Sequence, residues 1–267
     1  MNRPFKKPKI IKIFMYLSTC LSMINIFKNW IDIPLAVIGL LDFKKGHLMK
    51  LKNGIVFKVV HFMDTLTINE IFSNNDYKVG RLRDNSVTID IGANIGAFSV
   101  YVANKTPASK VFSFEPSKKT FNQFIANINL NRLEKNIIPT NCAIGGKRGT
   151  LKLYDVGISG MRSVYQTRNE KRFEPVKVIT LEDIFISNNI KKCDFLKIDC
   201  EGAEYEILDN CPDSIYRRIN NIAMEFYEIA RGQDHLTLVN LLKSKGFTVK
   251  HFYHSIENNI GYIYAKK

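Results

Sequence analysis

The chain of 267 residues has no CxxC pair, and its five cysteines stand at 20, 142, 193, 200 and 211. That odd, scattered set suits neither a disulfide scaffold nor a zinc site and fits a reduced, intracellular protein, so cytoplasmic placement without a metal is the expectation. A G-x-x-x-x-G-K-[ST] run is missing, which leaves a triphosphate cradle unsupported, and a G-x-G-x-x-G loop is missing too, which argues against a nicotinamide or flavin cofactor. The uncharged stretch from Ile13 to Phe27 is cut off by Lys28, short of the roughly 20 apolar residues that a spanning helix needs. No small-residue cleavage site follows it, which argues against a secretory leader. No internal repeat or low-complexity tract is visible.

What the chain does have is 45% hydrophobic residues, enough for a full core, and a formal net charge of +14 with a pI near 9.5. The excess of positive charge draws anions, whether phosphorylated substrates, nucleic acid or anionic lipid, and does not choose among them. Residues 1–45 read as a basic tail, with Lys6, Lys7, Lys9 and Lys12, followed by an apolar or amphipathic helix in which Phe14, Leu17, Leu21 and Ile24 recur at helical spacing. Two placements stay open for that helix: packing on the main domain, or lying in a membrane interface as a peripheral contact. Residues 46–267 read as one α/β domain. Its first part, 46–80, is a lead-in of a strand pair turned at Asn53-Gly54 and a helix from Leu66 to Asn74, which Asp64 or Thr65 can cap.

The stretch VTIDIGANIGAFSVY, Val87 to Tyr101, is the centre of the pattern. A β-branched run, a glycine turn and a helix start predict a strand-loop-helix unit whose loop lets a ligand touch backbone. Strand and helix then alternate through KVFSF, FLKID and INNIAMEF, and Thr248–Phe252 with Ile260–Ala265 form a closing antiparallel pair. This alternation predicts a mainly parallel sheet with helices on both faces.

In such a sheet ligands bind beyond the carboxyl ends of the strands. Asp90, Glu115, Cys142, Asp199 and Glu225 all fall at or just after predicted strand ends. Gly92 and Gly96 permit the tight turn and bring backbone close to a ligand. Glu115 ends the second strand 25 positions after Asp90 (115 − 90), where an acidic side chain can accept both hydroxyls of a ribose. An acidic residue before the loop suits a cofactor that carries positive charge or amino groups rather than a pyrophosphate. S-adenosylmethionine has both.

The segments DTLTINEIF with Tyr77, VTIDIGANIGAFSVY, FSFEPS, the NxAIG of Asn141 to Gly145, ITLEDIF and LKIDCEGAEYEIL run in this order between about residues 55 and 245. In these pieces the chain resembles the FkbM-type methyltransferases, a branch of the class I S-adenosylmethionine-dependent enzymes. The resemblance implies a Rossmann-like, seven-stranded, mostly parallel sheet with an antiparallel closing hairpin. It implies that Asp90, Gly92, Asn94 and Gly96 hold the methionine end of the cofactor, with Ala93 and Pro116 also in contact. Glu115 would hold the ribose, the Cys142-Ala143 backbone would lie near the adenine, and Asp199 would face the reacting methyl group. The family's typical reaction is O-methylation of a hydroxyl, often on a sugar, glycan or natural-product ring. Cys200 stands where the family more often has an aliphatic residue.

A hydroxyl acceptor must shed a proton as it attacks, which a carboxylate or histidine within reach can take. Asp199, Glu201, Glu225 and His235 are the candidates, in that order. Glu201 and Glu204 have another reading, as carboxylates at a helix N-terminus. Arg162, Arg168 and Arg172, in the polar insertion from Asp155 to Arg172, are candidates for a phosphate or carboxylate on an anionic acceptor, or else belong to a solvated basic loop. Two alternatives differ in kind. An RNA methyltransferase suits the charge, but no Asn-Pro-Pro-aromatic loop follows the fourth strand, so a nucleic-acid partner is not favoured. A non-catalytic nucleoside-binding or membrane-peripheral module is disfavoured by intact Asp90, Glu115 and Asp199.

Overall fold

The computed structural model describes residues 21–155, 162–163, 173–228, 234–254 and 259–267. Residues 21–26 are helical, α1 spans Asp32–Val37, and β1 (His47–Lys50) pairs antiparallel with β2 (Val56–Val59) around the expected Asn53-Gly54 turn. Gly54 sits there at φ +92, a backbone region that costs glycine nothing. Helix α2 (Phe62–Asn69) begins four residues before the expected Leu66 and runs on as a π turn over Glu70–Asn74. Its N-cap is His61. Asp64 acts from inside the first turn, with its carboxylate accepting from the N–H of Val60 at 2.7 Å and of His61 at 3.2 Å.

The glycine stretch forms β3 (Val87–Ile91) and α3 (Ala97–Lys105), and is followed by β4 (Lys110–Phe114), α4 (Lys118–Leu130) and β5 (Ile137–Thr140). A separate small sheet comes next, from β6 (Ala143–Ile144), β7 (Gly149–Asp155), β8 (Arg162–Ser163) and β9 (Phe173–Ile179), in the order β6-β9-β7-β8. The chain returns through α5 (Leu181–Ser187), β10 (Phe195–Ile198), α6 (Glu204–Asp209), α7 (Asp213–Tyr216), β11 (Asn221–Tyr227), α8 (His235–Ser244), β12 (Thr248–Tyr253) and β13 (Ile260–Lys266). The main sheet has seven strands in the order β12-β13-β11-β10-β3-β4-β5. The pairs from β11 to β5 are parallel, while β13 runs antiparallel to both β11 and β12. This is the Rossmann-like arrangement expected from the resemblance, with its antiparallel closing hairpin.

Both faces of the sheet are covered. On one, Phe98, Val102, Phe124 and Ile128 of α3 and α4 join Phe57 and Ile68, and Met23, Phe27 and Ile33 from the N-terminal segment pack into the same cluster. On the other, Ile184, Leu208 and Leu238 meet Ile89, Leu196 and Ile198. Every residue of β10 is therefore buried, as expected of a central parallel strand. One of them is Lys197, and a lysine there has to be paired.

Candidate active site

The loop after β3 is shaped first by the protein's own backbone. A Cβ on Gly92 (φ +75) would lie 1.8 Å from the carbonyl oxygen of Asp199, and one on Gly96 (φ +87) would lie 2.1 Å from the ring of Phe124. These glycines let β10 and α4 close against the loop. Between them Asn94 takes φ +51, the left-handed region that asparagine tolerates better than most residues. Its backbone N–H then donates to Glu115 Oε2 at 2.9 Å, and Ser117 N–H donates to Glu115 Oε1 at 2.8 Å. Glu115 is buried, and burial pushes its pKa up to about 7. Each carboxylate oxygen keeps acceptor capacity beyond these bonds. Asn141 secures the turn from the other side, donating to the carbonyls of Glu115 and Pro116.

Glu115 stands in a cleft of about 150 Å³ with Gly92, Asn94, Pro116, Cys142, Ala143 and Asp199. Phe114, Ile144, Leu151 and Leu153 add apolar wall. The last two come from β7, so the inserted sheet closes the cleft that holds Glu115. A carboxylate with open acceptor positions beside apolar walls fits a nucleoside: ribose hydroxyls on Glu115, and a base between the aliphatic side chains.

A second cavity, of about 220 Å³, lies on the α2 side of the loop and is lined by Met63, Leu66, Glu70, Tyr77, Glu225 and Tyr227 among others. Gly92, Asn94, Asp199 and Glu201 line both spaces. Asp199 is thus reached from two sides. Its Oδ2 accepts from the Tyr77 hydroxyl at 2.8 Å and lies 3.6 Å from Lys197 Nζ. Lys197 also sits 3.1 Å from Asp90 Oδ1 and donates to the Gly92 carbonyl at 2.7 Å. Asp90 accepts from Ser99 Oγ at 2.6 Å on its other oxygen and is fully buried.

The second cavity is rich in carboxyl groups whose pKa burial raises. Burial raises Glu70 and Glu201 to about 8, with Asp76 and Asp199 adding to the effect on Glu70 and Asp199 and Glu204 on Glu201. Glu225 is raised well above its ordinary value, first by burial and then by Asp199, and accepts from the Tyr227 hydroxyl at 3.0 Å. Glu201 has φ +51, uncommon for a residue with a side chain. Glu204 turns back to the loop, accepting from Cys200 N–H at 3.1 Å and Gly202 N–H at 3.2 Å.

Of the residues singled out from the sequence, the structure gathers Gly92, Ala93, Asn94, Glu115, Pro116, Cys142, Ala143, Asp199, Glu201 and Glu225 around these two spaces. Asp90 and Gly96 line neither and stand behind the loop. His235 lines neither, and instead pairs with Glu228 at 2.7 Å at the start of α8 and stacks on Phe226. Arg168 and Arg172 lie outside the described residues, as does the side chain of Arg162. Lys197, Glu70 and Tyr227 carried no expectation.

The sheet order is Rossmann-like, and the cleft at its glycine loop fits a nucleoside. The family model described as the methyltransferase FkbM domain matches residues 90–249, and the chain belongs to that family. It is 31% identical over 201 residues to Methyltransferase 1 of Beauveria bassiana (strain ARSEF 2860), covering 67% of this chain and 79% of that protein. It is 25% identical over 236 residues to 31-O-demethyl-FK506 methyltransferase FkbM of Streptomyces tacrolimicus, covering 75% and 88%. Hexuronic acid methyltransferase AglP of Haloferax volcanii is 24% identical over 144 residues, covering 54% and 57%.

Proposed function

We propose that this methyltransferase acts on a hydroxyl oxygen of a hydroxyl-rich acceptor, a sugar, glycan or oxygenated natural product, held in the cavity lined by Glu70, Tyr77, Glu201, Glu225 and Tyr227. The observation that carries this reading is the shared wall: Gly92, Asn94, Asp199 and Glu201 border both the Glu115 cleft and that cavity. Asp199 is the carboxylate at the junction. S-adenosylmethionine, when bound, supplies an activated methyl electrophile, so the protein's task is mainly alignment, worth roughly 7 to 11 kcal/mol.

In this reading Glu115 holds the ribose hydroxyls, the Asn94 and Gly92 backbone borders the reacting centre, and Cys142 and Ala143 flank the base. Asp199 accepts the proton that the acceptor hydroxyl releases. The Tyr77 hydroxyl and the Lys197 ammonium orient Asp199. Burial favours the neutral form of Glu70, Glu201 and Glu225, and a neutral carboxyl both donates and accepts hydrogen bonds without adding charge. Such a lining suits several neighbouring hydroxyls and offers little to a phosphate backbone, which supports a compact acceptor over RNA. The names of two relatives agree in kind: one methylates 31-O-demethyl-FK506 and another a hexuronic acid.

The test is a panel of free sugars, glycosides and macrolide alcohols with labelled S-adenosylmethionine, with product linkage read by mass spectrometry and NMR. Methyl on oxygen supports the reading, and methyl on nitrogen or carbon overturns it. Glu115→Ala should abolish calorimetric binding of S-adenosylmethionine, and undiminished binding would overturn the cofactor placement.

A further inference from the structure

An unpartnered apolar surface lies among the N-terminal helical residues, outside the two spaces of the active site. A groove of about 330 Å³ is lined by Leu21, Met23, Ile24, Trp30, Ile33, Pro34, Val37, Ile38 and Phe62, without one charged residue. Its rim stays open: Leu21 is 64%, Ile31 51%, Val37 64%, Ile38 67% and Leu40 74% exposed. Such a patch on a soluble chain marks an interaction site.

Its surroundings are basic. Lys28, Lys44, Lys45, Lys50 and Lys52 are exposed. The backbone places three of them along one edge of the helical segment, since Lys28 N–H donates to the Lys50 carbonyl at 2.7 Å and Lys52 N–H to the Ile26 carbonyl at 2.8 Å. None of the five forms an ion pair among the described residues. The acidic groups nearby are Asp42 and Asp32, and Asp32 is held by Asn29 at 2.5 Å and His47 at 2.9 Å. The segment that precedes the patch in sequence adds Arg3, Lys6, Lys7, Lys9 and Lys12. A protein partner would ask for shape; exposed aliphatic side chains, a tryptophan and a fringe of lysines ask for an anionic lipid surface.

We propose that the face formed by residues 21–40 docks on an anionic phospholipid bilayer, with Leu21, Ile31, Val37, Ile38 and Leu40 entering the headgroup-acyl boundary and the lysines meeting lipid phosphates. Among the described residues no helix is long and apolar enough to cross a membrane.

Trp30 is the chain's single tryptophan and reports on the face directly. The experiment titrates the full chain with vesicles of phosphatidylcholine alone, and of phosphatidylcholine with about one third phosphatidylserine, at about 0.15 M salt. Sedimentation and Trp30 fluorescence are read together. The expected result is binding to the anionic vesicles with a blue shift of Trp30, weakened roughly tenfold or more both by Val37→Ser/Ile38→Ser/Leu40→Ser and by Lys28→Gln/Lys44→Gln/Lys45→Gln. Melting curves confirm that both variants are folded. Binding without a Trp30 shift, or binding that the serine variant leaves unchanged, overturns the proposal and leaves only adsorption by overall charge. A wild-type dimer that the serine variant dissociates, with no vesicle binding by either, overturns it in favour of self-association.

Discussion

Lys197 and Asp90 are register partners on adjacent parallel strands, with the ammonium 3.1 Å from the carboxylate and side chains no more than 4% exposed. Both charges are out of water, and each is the condition for burying the other. Lys197→Met leaves Asp90 charged and unpaired, and should cost about 3–5 kcal/mol of stability. Lys197→Met combined with Asp90→Asn should recover part of that loss, because the orphaned charge is gone. Urea denaturation of the two variants measures the difference.

Tyr77 touches the proposed base without lining the nucleoside cleft. Tyr77→Phe removes the 2.8 Å hydrogen bond to Asp199 and keeps the ring, which packs edge-on against Phe98 and Tyr262. The expected result is a fall in kcat of about 10- to 100-fold with little change in S-adenosylmethionine binding, measured by steady-state kinetics beside calorimetry.

At Gly92 the added methyl of Ala has nowhere to go, since it would sit 1.8 Å from a backbone oxygen in a conformation at φ +75. Gly92→Ala should lower stability by about 1–3 kcal/mol or more and abolish S-adenosylmethionine binding. Thermal melting and calorimetry read the two effects.

Glu201 poses the opposite case. With φ +51, replacement by glycine relieves backbone strain, and Glu201→Gly should raise stability by up to about 1 kcal/mol. Methyl transfer should fall in the same variant, because the carboxyl bordering both cavities is lost. A variant that is more stable and less active separates the two roles.

Burial raises Glu204 and Glu115 from 4.5 to about 7, so between those values the folded protein holds protons that the unfolded chain has released. Their contribution to stability is full below about pH 4.5 and is lost as pH rises through 7. The melting temperature without cofactor should therefore fall between pH 5 and 7.5 by this route. Glu204→Gln should flatten that part of the profile, and the comparison by calorimetry isolates it from the general charge repulsion of a basic chain.

The sheet, the glycine loop and Glu115 were legible in the chain because each is a local pattern: a β-branched run, a turn that needs positive φ, and an acidic residue at a strand end. Lys197 was not singled out, although FLKID carried the signal: a lysine in a strand buried on both faces needs a carboxylate opposite, and Asp90 was available. Glu70 was missed for a different reason. It follows α2 in a π turn, and its position facing Asp199 is set by how α2 packs on α3, which no local pattern encodes. The role of the inserted β6–β9 sheet was hidden as well, since Leu151 and Leu153 meet the Glu115 cleft through tertiary packing.

The two ends of the molecule's binding surface meet on a single turn of α2. Phe62 lines the apolar groove, and Met63, its neighbour, lines the cavity assigned to the acceptor. With that groove on a bilayer, the mouth of the cavity lies within a few side chains of the lipid headgroups. An acceptor tethered to lipid would then be searched for in two dimensions instead of three, and the protein's encounter rate would follow lipid composition before it followed substrate concentration.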